Sequence, residues 1–275
     1  MKQKFMVRFP KRCSFFLLLL FVISANGKSY IGQNEITDKR TLLAIFAHPD
    51  DEMSAAPLLA KYASEGVSIY IAIVTDGRLG VTSHAGISAG DNLANIRIEE
   101  MNCSASELGV NPPIMMGFYD QFKFEEGMEA MMNEIDRAKK EVQKLIEDIK
   151  PDVVLTWGPS GGTGHLDHRI VNTIVSEVFG SKQWDGKPNQ LYTTEITIQD
   201  NVEMAMVDVS YLNFRIPIEK IHFETAKKAW MCHKSQFTLN EILWLKAQFW
   251  DSQNGVAFFK PFYQEGPIEN SLFKD

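Results

Sequence analysis

The stretch Thr41-Leu42-Leu43-Ala44-Ile45-Phe46-Ala47-His48-Pro49-Asp50-Asp51-Glu52 decides the fold class. After Thr41 its first part is continuously apolar, as in a strand covered on both faces of a parallel sheet, where in–out alternation is lost. His48-Pro49 ends the run. The acidic residues that follow open a helix predicted over 50–66, with Gly66 past its end. The unit then recurs. Residues 67–74 are a second buried strand, closed by Thr75-Asp76-Gly77, and a Gly-containing loop with His84 leads to a helix over 92–108 that Gly109 ends. Residues 114–118 form a short third strand and 128–149 an amphipathic surface helix. Residues 153–157 form a fourth buried strand, and a Gly-rich loop at 158–164 precedes a helix over 165–179. Strands alternating with helices predict right-handed βαβ units and a Rossmann-like, mostly parallel α/β sheet with helices on both faces, in a single domain. Past residue 180 the pattern loosens into strands at 191–193 and 205–209, helices over 218–233 and 239–249, and a surface tail from Gly255.

The chain has 275 residues, 45% hydrophobic and 23% charged, which suffices for a substantial core. A net charge of −7 without a basic stripe argues against a nucleic-acid partner. Three cysteines exclude a disulfide-dense scaffold and a four-cysteine zinc finger.

The first 27 residues differ from the rest. Lys2, Lys4, Arg8, Lys11 and Arg12 precede the apolar run 13–23, and Ser24-Ala25-Asn26-Gly27 follows. As a helix that run would reach about 16 Å, roughly half a bilayer's hydrocarbon core. A signal peptide over 1–27 is therefore expected, then an extension at 28–39, a catalytic domain at 40–260 and a tail at 261–275. The mature chain is expected to be exported, periplasmic or extracellular, without a stable membrane span, or membrane-anchored where the segment is kept. Cys103 and Cys232 would remain in that oxidising compartment. Their helical, apolar settings read as two free buried thiols, with one bridge as the alternative. Nothing in the sequence speaks to oligomeric state.

Chemistry-bearing residues gather at the ends of two strands. His48, Asp50 and Asp51 follow the first; His165, Asp167 and His168 follow the fourth. In open α/β sheets, ligands bind beyond the carboxyl ends of the strands where the strand order switches, so the two clusters should converge in one crevice. Each cluster also has a plainer reading, as acidic residues at a helix N-terminus and as surface histidines. Together they supply two imidazoles and a carboxylate, the set that holds a catalytic Zn2+ with one position open. Iron, such as Fe2+, cobalt and manganese are the alternatives. His48, Asp51 and His168 read as the ligands. Asp50 reads as general base, and His165 as the group that polarises a carbonyl or protonates a leaving amine. No GxGxxG turn follows the first strand, which removes the nucleotide-binding reading.

Ala47-His48-Pro49-Asp50-Asp51-Glu52 resembles the AHPDDE signature of the PIG-L/LmbE-like zinc-dependent N-acetylglucosaminyl deacetylases. Thr75-Asp76-Gly77, Arg97-Ile98-Glu99-Glu100, Gly117-Phe118-Tyr119-Asp120, Gly164-His165-Leu166-Asp167-His168-Arg169 and His233-Lys234-Ser235-Gln236 are similar to further family segments, in the family's order across roughly 41–240. The resemblance implies hydrolysis of an N-acetyl amide on a small-molecule or oligosaccharide amino sugar. His48, Asp51 and His168 match its metal ligands, Asp50 its base, and His165 its acid or oxyanion stabiliser, expected to act protonated. Asp167 would tune a neighbouring histidine. Arg97 and Asp120 match substrate-binding positions; for Arg97 a helix salt bridge to Glu99 or Glu100 is the alternative. An exported member points to exported or environmental acetylated glycans. Hydrolysis of another amide or acyl group, or non-catalytic sugar binding, are the competing readings. His84 is read as a substrate contact or a solvated loop residue, and Trp157 and Tyr119 as sugar-stacking or packing residues.

Overall fold

In the computed structural model, β1 (Thr41–Phe46) lies at the centre of the five parallel strands of a seven-stranded sheet of order β3-β2-β1-β4-β5-β7-β6. Residues 39–181, 184, 187–195, 207, 212, 214–246, 256–261 and 271 are described. The predicted leader at 1–27, the predicted extension at 28–39 apart from Lys39, most of the predicted strand at 205–209 and the tail beyond 261, apart from Ser271, lie outside them. β2 (Ser68–Thr75), β3 (Ile114–Phe118), β4 (Val153–Trp157) and β5 (Gln190–Thr194) pair in parallel around β1. This is the expected Rossmann-like half.

The continuous apolar run of β1 has the predicted cause. Leu42, Ala44 and Phe46 pack on one face of the sheet with residues of α1 (Ala56–Ser64) and α6 (Lys220–Trp230). Leu43, Ile45 and Ala47 pack on the other with α3 (Met128–Ile149) and α5 (Leu166–Gly180). All six are fully buried, and each such Leu, Ile or Phe contributes about 1.5–3 kcal/mol relative to an exposed one.

Three expectations need correction. The helix predicted over 50–66 is broken: Asp50 has φ 139°, a 3-10 turn spans Asp51–Ser54, and α1 starts only at Ala56, with Pro57 in its first turn. Pro57 lacks the N–H that an uninterrupted helix needs at that point. The stretch after Gly255 is not simply a tail. β7 (Val256–Pro261) enters the sheet antiparallel between β5 and β6 (Phe214–Pro217).

Cys103, exposed on α2 (Asp91–Leu108), is disulfide-bonded to Cys232 just past α6, with Cα atoms 5.8 Å apart. The expectation of two free thiols is replaced by a bridge that ties α2 to α6. Among the described residues no helix is long and apolar enough to cross a membrane.

Candidate active site

β1 and β4 are neighbours, and the chain leaves β1 toward β2 and β3 before returning to β4. The switch in strand order therefore falls between them, and their carboxyl ends deliver both clusters to one place. His48 comes directly off β1. The loop after β4 makes a short helical turn, α4 (Gly161–Gly164), before α5 begins with His165 as its N-cap. Gly162 at φ 66° lets that loop fold over Trp157, whose ring would meet an added Cβ at 2.7 Å.

His48 Nδ1 lies 3.2 Å from His168 Nε2. Asp51 joins them, with Oδ1 3.0 Å from His168 Nε2 and Oδ2 3.8 Å from His48 Nδ1. Zinc–ligand bonds of about 2.0–2.1 Å in a tetrahedron put ligand atoms about 3.3 Å apart, which the His48–His168 and His168–Asp51 pairs match; the described groups whose ligand atoms all lie within 4.8 Å of one another are His48, His165 and His168, and His48, Asp120 and Asp167.

The outer ring nitrogens are committed as donors. His168 Nδ1 is 2.9 Å from the Gly161 carbonyl, which only accepts, so Nδ1 carries a proton and Nε2 faces the site. His48 Nε2 is 3.1 Å from Asp167 Oδ2 and 3.4 Å from Asp120 Oδ1, so Nε2 donates and Nδ1 faces the site. Two inward ring nitrogens and a carboxylate facing one another favour positive charge between them. Burial opposes charge on His48, but hydrogen bonds to Asp120, Asp167 and Asp51 outweigh it and raise its pKa well above 6.5. Burial likewise opposes charge on Asp51, yet His168 and His48 hold it well below 3.8. Both shifts express the same preference as the donor set, which fits a divalent metal ion.

Asp51 is aimed by its surroundings. Its Oδ2 accepts from the Ala47 and His48 backbone N–H groups, each at 2.9 Å, and from Trp157 Nε1 at 2.9 Å. Trp157 is buried and stacks on His168, with centroids 4.4 Å apart and planes within 4°. The ring read as a sugar platform or packing residue thus serves two of the three ligands.

Asp50 and His165 stand beside this set. Asp50 Oδ2 is 3.0 Å from Arg97 Nη2. Burial raises the Asp50 pKa above 3.8, Arg97 works against that, and Asp51 adds to it. The His165 ring lies 4.8 Å from that of His48 and 4.7 Å from that of His168. Its Nδ1 accepts from the Asp167 backbone N–H at 3.3 Å, which leaves the proton on Nε2. Burial, with the charges of His48 and His168, lowers its pKa. This lowering favours the neutral form of His165, with Nε2–H as its donor.

Arg97 differs from both of its expected settings. It is 3% exposed and pairs with neither Glu99 nor Glu100 among the ion pairs described. It donates to the Gly77 carbonyl at 2.8 Å and the Pro49 carbonyl at 2.7 Å, which places it beneath Asp50. A Cβ on Gly77 or Gly80 would come within 2.5 Å of its guanidinium. Asp120, expected at the substrate, is buried against His48 and accepts from the Leu79 N–H at 2.8 Å. Burial opposes its ionisation, but the bonds to His48 and Leu79 bring its pKa down to about 2. His84 is exposed and meets the Lys234 carbonyl at 3.0 Å. Arg78 sits over the Tyr119 ring at 4.6 Å.

Some contributors carried no local signal. Gln121, Phe122 and Lys123 all have left-handed φ, near 60°, 48° and 58°, unfavourable by about 1–2 kcal/mol each. Burial of Phe122 and the Gln121 N–H bond to Asp167 Oδ2 at 2.9 Å offset this and fix Asp167 under His48. The buried partners of Glu52 are likewise invisible in sequence: Ser104 and His233 are 52 and 181 residues away.

The PIG-L profile, described as GlcNAc-PI de-N-acetylase, matches residues 43–179. A 1D-myo-inositol 2-acetamido-2-deoxy-alpha-D-glucopyranoside deacetylase of Rhodococcus erythropolis is 34% identical over 204 residues, covering 65% of this chain and 69% of that protein. A mycothiol S-conjugate amidase of Streptomyces coelicolor is 31% identical over 173 residues, 58% of each chain. The chain spans between about half and about two thirds of the length of the curated relatives it matches. The N,N'-diacetylchitobiose deacetylase structure from Pyrococcus horikoshii superposes with a TM-score of 0.62 over 84% of this chain and 86% of that one at 22% identity, which speaks to the fold. With the profile match and a relative 34% identical that it covers over 69% of that protein's length, the chain belongs to the PIG-L family.

Proposed function

We propose that the chain is a metal-dependent hydrolase that removes the N-acetyl group from an N-acetylglucosamine-type amino sugar or its conjugate. The observation that carries this reading is the opposed pair of histidines. His48 and His168 commit their outer nitrogens to Asp167, Asp120 and Gly161, and turn their other ring nitrogens toward Asp51. The relatives named above are a deacetylase of an acetamido-sugar conjugate and an amidase, and a metal centre with an open position supplies the water that such amide hydrolysis needs.

His48 Nδ1, His168 Nε2 and the Asp51 carboxylate would hold the metal, with Zn2+ the ion this donor set suits best. Bound there, it would supply a water acidified toward neutral pH and Lewis-acid polarisation of the acetyl carbonyl. Asp50, ionised and held by Arg97, accepts the proton of the attacking water at its carboxylate. His165 points Nε2–H at the oxygen on which negative charge develops, and needs no protonation to do so. Asp50 then returns its proton to the departing amine, releasing acetate and a free amino sugar. Trp157 and the backbone N–H groups of Ala47 and His48 keep Asp51 oriented throughout.

Export of the chain is part of the proposal. The basic and apolar composition of residues 1–27 and the Cys103–Cys232 bridge both suit an oxidising compartment, where acetylated glycans are the natural candidates.

The test is acetate release from N-acetylated amino sugars and oligosaccharides by the zinc-loaded chain, with a chelated control. Chelator-sensitive acetate supports the reading. Amide cleavage confined to non-sugar substrates would move it to a different amidase, and no cleavage with one tightly bound metal would move it to binding.

A further inference from the structure

We propose that His233 and Glu52 are positioning residues for the metal centre: a buried clamp, anchored beside the Cys103–Cys232 bridge, that holds the ligand turn in register. The inference rests on the metal-site reading above. Glu52, the residue after the ligand Asp51, opens the 3-10 turn Asp51–Ser54 with it. Glu52, His233 and Ser104 are each 0% exposed. His233 Nε2 donates to Glu52 Oε1 at 2.6 Å, and Ser104 Oγ donates to the same oxygen at 2.5 Å. No other polar groups among the described residues reach this carboxylate, and Oε2 has no hydrogen-bond partner.

A carboxylate taken wholly out of water is unfavourable, and an apolar side chain of similar size would fill the same space at lower cost. What the carboxylate adds is direction. Asp51 is fixed from the β1 side by the Ala47 and His48 N–H groups. From the α6 side the turn is fixed by His233 on Glu52 and by Trp230 Nε1, which donates to the Met53 carbonyl at 3.2 Å. The two clamp donors are themselves tied. Ser104 follows Cys103, His233 follows Cys232, and the bridge joins the two cysteines. The His233 carbonyl also accepts from the Gln236 and Phe237 N–H groups at 3.1 and 2.9 Å, so its backbone is set. The path from the bridge to a metal ligand runs through one hydrogen bond and two peptide units, short enough for a small displacement of His233 to reach the metal.

The test compares His233→Ala, His233→Gln and Ser235→Ala in the full chain. Ser235 anchors the same segment to Glu100, through N–H at 2.7 Å and Oγ at 2.6 Å, without touching Glu52. Zinc affinity is read by chelator competition, thermal unfolding reports stability, and kcat and KM for acetate release are taken at saturating zinc. The expected result is a zinc affinity about 10–100-fold weaker in His233→Ala, with kcat lowered and KM within twofold. His233→Gln, which keeps a donor, recovers most of the affinity. Ser235→Ala melts earlier but binds zinc like wild type. The proposal is overturned if His233→Ala binds zinc like wild type while only its melting temperature falls, or if Ser235→Ala weakens zinc equally. Wild type that binds zinc but releases no acetate would sink the proposed function and leave the affinity comparison decisive; wild type that takes up no zinc would sink both.

Discussion

Arg97 Nη2 lies 3.0 Å from Asp50 Oδ2, and the same guanidinium holds the Pro49 carbonyl on the preceding residue. The buried cation thus fixes both where Asp50 sits, at an unusual φ of 139°, and how readily it loses its proton. Burial and Asp51 push the Asp50 carboxyl above 3.8, while Arg97 restrains the rise. A general base works only when ionised, so kcat/KM should fall as pH drops through this raised value. Removing Arg97 removes the restraint. The acidic limb of the pH–rate profile should move to higher pH in Arg97→Gln and stay near wild type in Arg97→Lys. A limb that moves to lower pH in Arg97→Gln would contradict the assignment.

Trp157 Nε1 is the side-chain donor that aims Asp51. Trp157→Phe keeps the ring over His168 and deletes the N–H. Zinc affinity measured against a competing chelator is expected to weaken about 10–100-fold, the usual consequence of losing a partner of a metal ligand. An unchanged affinity would mean that the backbone N–H groups alone orient Asp51.

The Cys103–Cys232 bridge spans a sequence separation of 129 residues. Its loss in Cys103→Ser/Cys232→Ser should reduce unfolding free energy by about 2–5 kcal/mol, because a long loop is released in the unfolded chain. Urea denaturation of the double variant and the oxidised wild type gives the comparison. Equal midpoints with equal slopes would show that the bridge is absent from the folded protein.

His233 links stability to pH. Burial by itself would lower its pKa, but the Glu52 charge and hydrogen bond outweigh it and raise it above 6.5. The folded state therefore holds this proton more tightly than the unfolded chain. Its contribution is complete below about pH 6.5 and is lost as pH rises through the raised folded value. Wild type should lose stability over that window relative to His233→Gln in urea titrations across pH. Parallel curves for the two proteins would remove the charge from His233.

The parallel half of the sheet was legible because two-sided burial leaves an unbroken apolar run, as in β1 and β4, with glycines marking the helix ends. The antiparallel edge was not. Phe214–Pro217 is only four residues long, and Val256–Pro261 acquires its identity as a strand by pairing with β5 and β6. In the site, His48, Asp50, Asp51, His165 and His168 were legible as residue types suited to metal chemistry at two strand ends. The settings of Arg97, Trp157 and Glu52 were not, since each depends on partners brought from 20 to 181 residues away. The left-handed turn at Gln121–Lys123 contains no glycine or asparagine to announce it.

The most direct test of the central claim is to measure bound zinc and acetate release in the same preparation of Asp50→Asn. The predicted result is one equivalent of zinc, held as in wild type, with turnover reduced by about 10²–10⁴-fold, because the ligands remain and the base is gone. Turnover near the wild-type rate, or loss of the zinc, would contradict the division of the turn into Asp51 as ligand and Asp50 as base.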